Sequence, residues 1–378
     1  MNSILELEDK INTLKKEDEE KYRAVNSIFH VSSASGSMII PASYQKKVLE
    51  LFGKRDYERN ITESKEEVIK RLESQKIVKT YNKWIGSGSL FNSLRAARPG
   101  IEPGEKANIR KKVDEYIKES EKSCEFCEPE INTPEDVFGR VKGKHCITGA
   151  NIAKYDAWSS IIFFHQHNPL QFSLEELSDY IETGFEWFKK VHNYDKQFKF
   201  PFFLWNCLQK AGASQTHSHA QILMTNEIHY AKPQFLRKAS KEYTRLTGKN
   251  YFKDLYNAHE ALGLALEGEL DAFVSLTPIK EKEFIIISRD DPSKIDAIKE
   301  TIYRVLRCYI DQLGVTSFNM VISCPAFGEI SFPYIIQIVD RGNIFKPTVD
   351  TGAMELYGSS VVSDDPYKII KAIGAFKP

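Results

Sequence analysis

One order of elements occurs twice in this chain, and no other feature constrains its fold as much. Ser159 to Phe164 is an apolar run that reads as a strand. A helix is predicted from about Ser173 to Val191, with Ser173 as N-cap and Glu176 three residues on, a capping box. Phe202 to Cys207 reads as a strand, Lys210 to Gln215 as a loop, and the run from His217 to Met224 as another strand. Downstream, Ala272 to Thr277 and Glu283 to Ser288 read as strands, Asp291 to Leu313 as a helix, and Phe318 to Ser323 and Tyr334 to Val339 as strands. The pattern predicts an α+β fold built by duplication, each copy holding an antiparallel sheet and a long helix. Matching Gln221 to Gln337 sets Ile335 against His219 and Pro333 against His217. The second copy then keeps the scaffold without the histidines.

The 378 residues allow three regions: a helical extension over 1–80, a first copy over 81–228 and a second over 229–378. Charged residues dominate the extension. Ile4, Leu5, Leu7, Ile11 and Leu14 mark an amphipathic helix over 3–28, Ser32 to Ser37 reads as a loop, and helical patterns follow near 43–53 and 63–75. Lys83 to Ile85 and Ser89 to Phe91 read as strand pieces, 105–120 as a helix, and 229–268 as mostly helical. Lys plus Arg equals Asp plus Glu at 52 each, so no basic excess points to nucleic acid. No apolar run approaches the roughly 20 residues that span a bilayer, and the charged N-terminus has no signal-peptide core. A soluble, cytoplasmic protein is expected.

Chemistry concentrates in Gly212-Ala213-Ser214-Gln215-Thr216-His217-Ser218-His219-Ala220-Gln221. Side chains alternate in a strand, so His217, His219 and Gln221 share a face. Two imidazoles and an amide together suit metal binding or attack on phosphorus; two solvated histidines at a strand start are the plainer alternative. Cys124 and Cys127 match half of a tetrahedral zinc site, with a redox pair as rival. Histidine supply favours zinc. Four of nine histidines fall in the pairs His165/His167 and His217/His219. Cys124, Cys127, His167 and His217 would complete a Cys2His2 shell and leave His219 beside the metal. His165 and His145 are the other candidates. Cys146, Cys207, Cys308 and Cys324 are expected to be reduced and buried. Arg95, Arg98 and Lys210 could meet phosphate or face solvent.

These motifs converge on one family. Asn206, thirteen positions before His219, followed by Gly212-Ala213-Ser214 and His217-x-His219-x-Gln221, resembles the active-site segment of the galactose-1-phosphate uridylyltransferase branch of the histidine triad superfamily. Tyr81-Asn82 and Arg95-Ala96-Ala97-Arg98-Pro99 resemble its N-terminal signature, and Phe273–Pro278, Glu283–Arg289 and Tyr334–Val339 its histidine-poor second repeat. Asp350-Thr351-Gly352 is similar to its C-terminal end. Two positions depart from the pattern: Ser218 replaces the usual proline between the histidines, and Ala220 a frequent glycine.

The resemblance implies a nucleotidyltransferase or sugar-nucleotide phosphorylase. His219 would attack the α-phosphorus and carry the nucleotide covalently. Gln221 and Ser214 would donate to the non-bridging oxygens. Asn206 would orient the phosphate or the loop, Arg95, Arg98 and Lys210 would meet outer phosphates, and Gln337 would lie on the substrate side. Zinc would be structural. The partners implied are a nucleoside-diphosphate sugar, an acceptor sugar phosphate or inorganic phosphate, and a second copy of the chain. Dinucleoside polyphosphate phosphorolysis or hydrolysis, and non-catalytic nucleotide binding, are the alternatives.

Overall fold

The computed structural model describes residues 3–53, 55–56, 61–62, 64–97, 105–288, 294–346 and 351–378. Arg98 and Asp350 therefore lie outside the described residues. Helices α1 (Leu7–Glu17) and α2 (Glu19–Ile28) open the chain. They replace the single helix expected there because Asp18 leaves helical backbone and caps α2, accepting from the Lys21 N–H at 3.1 Å. Strand β1 (Phe29–Ser37) runs straight through the predicted loop Ser32–Ser37. Its small residues are held extended by β4 (Ser74–Asn82), from Phe29 opposite Asn82 to Ser37 opposite Ser74. Between them lie α3 (Ala42–Phe52), the two-residue strands β2 (Arg55–Asp56) and β3 (Ile61–Thr62), and α4 (Lys65–Glu73). Lys83–Ile85 is a turn rather than a strand, and β5 (Gly88–Phe91) follows.

The remaining elements are α5 (Glu105–Ser120), α6 (Pro129–Asn132), β6 (Cys146–Ala150), β7 (Trp158–Phe164), α7 (Leu174–Tyr194), β8 (Phe200–Cys207) and β9 (His219–Thr225). Then come α8 (Ala231–Thr247), α9 (Tyr251–Leu262), β10 (Ala265–Leu266), β11 (Asp271–Val274), β12 (Phe284–Ser288), α10 (Ile295–Arg307), β13 (Phe318–Ser323) and β14 (Tyr334–Asp340). Finally, α11 (Ala353–Tyr357), β15 (Ser360–Val362) and α12 (Pro366–Ala375) close the chain. Strand β15 completes a small sheet of order β1-β4-β5-β15, so both ends of the chain meet there.

The large sheet has nine strands in the order β10-β11-β12-β14-β13-β8-β9-β7-β6. The units β7-α7-β8-β9 and β12-α10-β13-β14 follow one plan and join where β8 runs antiparallel to β13. The fold is therefore α+β and duplicated, with sheets antiparallel but for the parallel pair β5–β15, long helices and a largely helical N-terminal extension.

Period-two alternation in the strands decides what each face does. Phe203, Trp205, Ile222, Met320, Ile322, Ile336 and Ile338 are buried in one cluster with Leu177, Ile181, Trp187 and Val191 of α7 and with Ile302 and Val305 of α10. Each such side chain contributes roughly 1.5–3 kcal/mol on leaving water. Helix α7 starts where predicted: Ser173 Oγ accepts from the Glu176 N–H at 3.2 Å, and Glu176 Oε2 accepts from the Ser173 N–H at 2.8 Å. Gly184 lets it approach the sheet, since a Cβ there would sit 3.1 Å from Phe203.

The opposite face carries Gln221 and Gln337 among apolar residues. Its ladder sets Ile161, Gln221, Leu204, Val321, Gln337 and Ile285 in one row. Around the second copy this face is filled by Phe273, Ile287 and Ile335 with Tyr251, Phe252 and Leu262 of α9 and Phe29 of β1.

Candidate functional site

The site forms where β7 and β9 begin to part. Beyond the strand ends the backbone ladder continues, with Phe164 N–H donating to Ser218 O at 3.1 Å and Ser218 N–H to His167 O at 2.9 Å. Proline at position 218 could not make the second bond. Serine therefore ties the His167 segment to the His217 segment. His167 and His217 end side by side, their Nδ1 atoms 3.0 Å apart.

The loop after α5 brings the cysteines to the same point. Cys124 Sγ lies 3.4 Å from His217 Nδ1, and Cys127 Sγ lies 3.4 Å from His167 Nδ1 and 3.5 Å from His217 Nδ1. All four potential ligand atoms fall within 4.8 Å of one another. The far nitrogens are held by the protein: His217 Nε2 lies 2.8 Å from Phe164 O, and His167 Nε2 lies 3.2 Å from Ile117 O and 3.0 Å from Ser120 Oγ. Protons on both Nε2 atoms leave both Nδ1 lone pairs turned to the thiols. That is the orientation a metal-ligating imidazole needs. Two sulfurs and two nitrogens fit a tetrahedral soft-metal shell. His165 is exposed, and His145 turns to Glu175 at 3.4 Å.

His219 is the first residue of β9 and is buried. Its Nδ1 lies 2.7 Å from the carbonyl of His217. Nδ1 is then the protonated nitrogen, and Nε2 keeps its lone pair. Burial lowers the proton affinity of the ring, with the carbonyl bond acting in the opposite direction. Burial likewise brings His217 down to about 4. The ring of Phe126, between the two cysteines, meets His219 edge-on at 5.4 Å and His217 at 6.1 Å. The sequence reading used the spacing of the cysteines and overlooked the aromatic between them.

Gln221 lies two residues along the same face, and its buried Oε1 has no hydrogen-bond partner among the described residues. Asn206 Oδ1 accepts from Asn319 Nδ2 at 2.7 Å, and the same Asn319 nitrogen donates to Ala211 O at 2.8 Å. The Arg341 guanidinium donates to Asn319 Oδ1. Asn319 and Arg341 belong to the second copy; only the register of β8 against β13 reveals them.

The loop between β8 and β9 turns tightly. Leu208 has φ 66° and ψ 172°, a region populated almost only by glycine, and Gly212 has φ 95°. Ser214 is exposed in this loop, and Lys210 Nζ donates to Lys346 O at 3.3 Å. Gln337 donates to Glu283 Oε1 at 3.1 Å. Arg95 lies on a short turn, Ser93–Ala97, after β5 of the small sheet. Cys146, Cys207, Cys308 and Cys324 are buried free thiols.

No protein-family profile matches the sequence, and no curated protein matches it. Solved structures do. An ADP-glucose phosphorylase from Arabidopsis thaliana with bound ADP-glucose superposes with TM-score 0.57 at 16% identity, over 77% of this chain and 95% of that one. This chain has the fold of that phosphorylase and of a solved uridylyltransferase. A GalT-like protein from Arabidopsis thaliana shares this uridylyltransferase fold at TM-score 0.52 and 17% identity, over 68% of this chain and 93% of that one. A uridylyltransferase does so at 0.51 and 14%, over 64% and 88%. Among the described residues, no helix is long and apolar enough to cross a membrane.

Proposed function

We propose that this chain is a nucleotidyl-transfer enzyme acting on a sugar nucleotide through a covalent nucleotidyl-histidine. The observation that carries this is the His219 ring: Nδ1–H is anchored on the His217 carbonyl at 2.7 Å, and Nε2 is presented as the nucleophile. The superposition on a phosphorylase holding ADP-glucose supports the substrate class.

In the proposed reaction, Nε2 of His219 forms a bond to the α-phosphorus while the bond from phosphorus to the leaving sugar-phosphate oxygen breaks. The ring becomes cationic, and the His217 carbonyl stabilises the proton left on Nδ1. Acceptor phosphate or sugar phosphate then attacks the same phosphorus and releases the neutral ring. Gln221 is placed to donate its amide N–H groups to a non-bridging oxygen. Asn206, with Oδ1 occupied by Asn319, offers its NH2 group to the same phosphate. Ser214 and Lys210 border the outer phosphates, with Arg95 and Arg98 as further phosphate contacts and Gln337 on the sugar side. Cys124, Cys127, His167 and His217 would hold zinc. When bound, the metal supplies rigidity rather than reactivity, because both histidine ligands already lean on backbone carbonyls.

Intact-mass spectrometry tests the proposal on wild type and His219→Ala after incubation with a panel of sugar nucleotides. A nucleotide-sized adduct on wild type alone is expected, and its mass names the base. Zinc-loaded wild type that gains no adduct from any sugar nucleotide overturns the proposal. An adduct that also forms on His219→Ala removes His219 as the nucleophile.

A further inference from the structure

The duplication places two glutamines in one row of the sheet face that carries His219. Gln221 pairs with Ile161 of β7, and Gln337 pairs with Ile285 of β12. Strands β8 and β13 lie between them, with Leu204 and Val321 half-buried in the same row. Three strand spacings make this floor roughly 14 Å across.

The two amides present opposite ends. Gln221 keeps Oε1 buried, so its NH2 group faces the floor. Gln337 turns its NH2 group away: Nε2 donates to Glu283 Oε1 at 3.1 Å. The other carboxyl oxygen of Glu283 accepts from the Ile279 N–H at 3.2 Å. Glu283 is buried, and an unmet buried carboxyl is costly. The Gln337 amide therefore cannot turn over without setting its carbonyl against a carboxyl oxygen. Its Oε1 is the end left at the floor, and it accepts from no group among the described residues.

The matching position in the first copy accounts for the difference. Glu283 stands two residues before Ile285, and Ser159 stands two residues before Ile161. Ser159 Oγ is buried with no hydrogen-bond partner among the described residues. The short serine makes no bond to Gln221, whereas the longer glutamate reaches Gln337. One residue in each copy thus decides which end of the amide faces outward. An NH2 group suits phosphate oxygens; a carbonyl repels them and accepts from a hydroxyl.

We propose that Gln337 determines specificity by accepting a hydrogen bond from a sugar hydroxyl of the substrate, and that Glu283 is the positioning residue that sets its amide. This rests on the sugar-nucleotide reading above. The phosphate would lie at Gln221, and the sugar would extend over Leu204 and Val321 toward Gln337.

The test is calorimetric titration of the full chain, on a His219→Ala background so that no covalent transfer intrudes. ADP-glucose, GDP-glucose and UDP-glucose are compared first. The tightest is carried on with its analogues in which fluorine replaces the hydroxyl at C2, C3, C4 or C6. Fluorine is close to a hydroxyl in size and cannot donate. One analogue is expected to bind at least about tenfold more weakly than the parent. In Gln337→Met that ratio should fall to near one. Glu283→Gln, whose amide can meet Gln337 with either end, should give a ratio between the two. A variant that merely weakened the fold would weaken parent and analogue alike and leave the ratio in place. Equal binding of the parent and every analogue, or a ratio that survives Gln337→Met, overturns the role of Gln337. The full ratio in Glu283→Gln removes Glu283 as the positioning residue. Failure of all three nucleotides to bind overturns the sugar-nucleotide reading itself, and this inference with it.

Discussion

His219 gains its tautomer from the backbone two residues earlier, so the element that carries the ring also orients it. Phe126 adds a second constraint: its ring abuts His219 at 5.4 Å while Cys124 and Cys127, on either side of it, belong to the group that could hold a metal. An edge-on aromatic pair contributes about 0.5–1.5 kcal/mol. Phe126→Ala is expected to slow adduct formation roughly three- to tenfold while metal content, measured by elemental analysis, stays at the wild-type level. Loss of metal from this variant would show instead that Phe126 holds the cysteine loop.

Glu283 is a separate case. Burial pushes its carboxyl up to about 7, against donors from Ser275, Ile279 and Gln337 and the charge of Lys232. A raised carboxyl favours the protonated folded state. Its penalty is absent below the usual carboxylate range near 4.5, grows as pH rises toward 7, and then stays constant. Glu283→Gln mimics the protonated form. In denaturant titrations it should be more stable than wild type at pH 8, by up to about 3 kcal/mol, and equal to it at pH 4. An advantage independent of pH would rule out this account.

At the scale of elements, the loop from β8 to β9 stores backbone strain ahead of His219. Leu208 is buried, so its side chain favours a conformation its backbone resists. Residues held there cost of order 1–3 kcal/mol. Ala ordinarily outperforms Gly within structured segments. At position 208 the order should invert, with Leu208→Gly more stable than Leu208→Ala by about 1 kcal/mol or more in urea unfolding. The usual order would show that the loop relaxes. The helices, the central strands and the capping box of α7 were legible because each follows local periodicity and cap chemistry. Strand β1 was not. Ser32 to Ser37 has the composition of a loop, and only pairing with β4 holds it extended.

At the scale of the molecule, the second copy reaches into the first. Arg341 holds Asn319, which holds both Asn206 and the carbonyl of Ala211. Loss of Arg341 should therefore act through Asn206. In a double-mutant cycle of Arg341→Ala with Asn206→Ala, kcat/KM is expected to show about 1 kcal/mol of coupling. Arg341→Lys should recover part of the loss, because a point charge replaces a planar fork. Additive effects would mean that Arg341 serves the second copy alone.

What the sequence by itself determined follows from short-range rules. Alternation put His217, His219 and Gln221 on one face, spacing singled out Cys124 and Cys127, and the repeated order of elements implied the duplication. The tertiary structure decided what depends on distance. It brought His167 to His217 through the Ser218 bond, laid Phe126 on His219, and tied Asn206 to Arg341 across the join of the two copies. Asn206 and Asn319, more than a hundred positions apart, meet only because β8 pairs with β13, and no local pattern records that pairing.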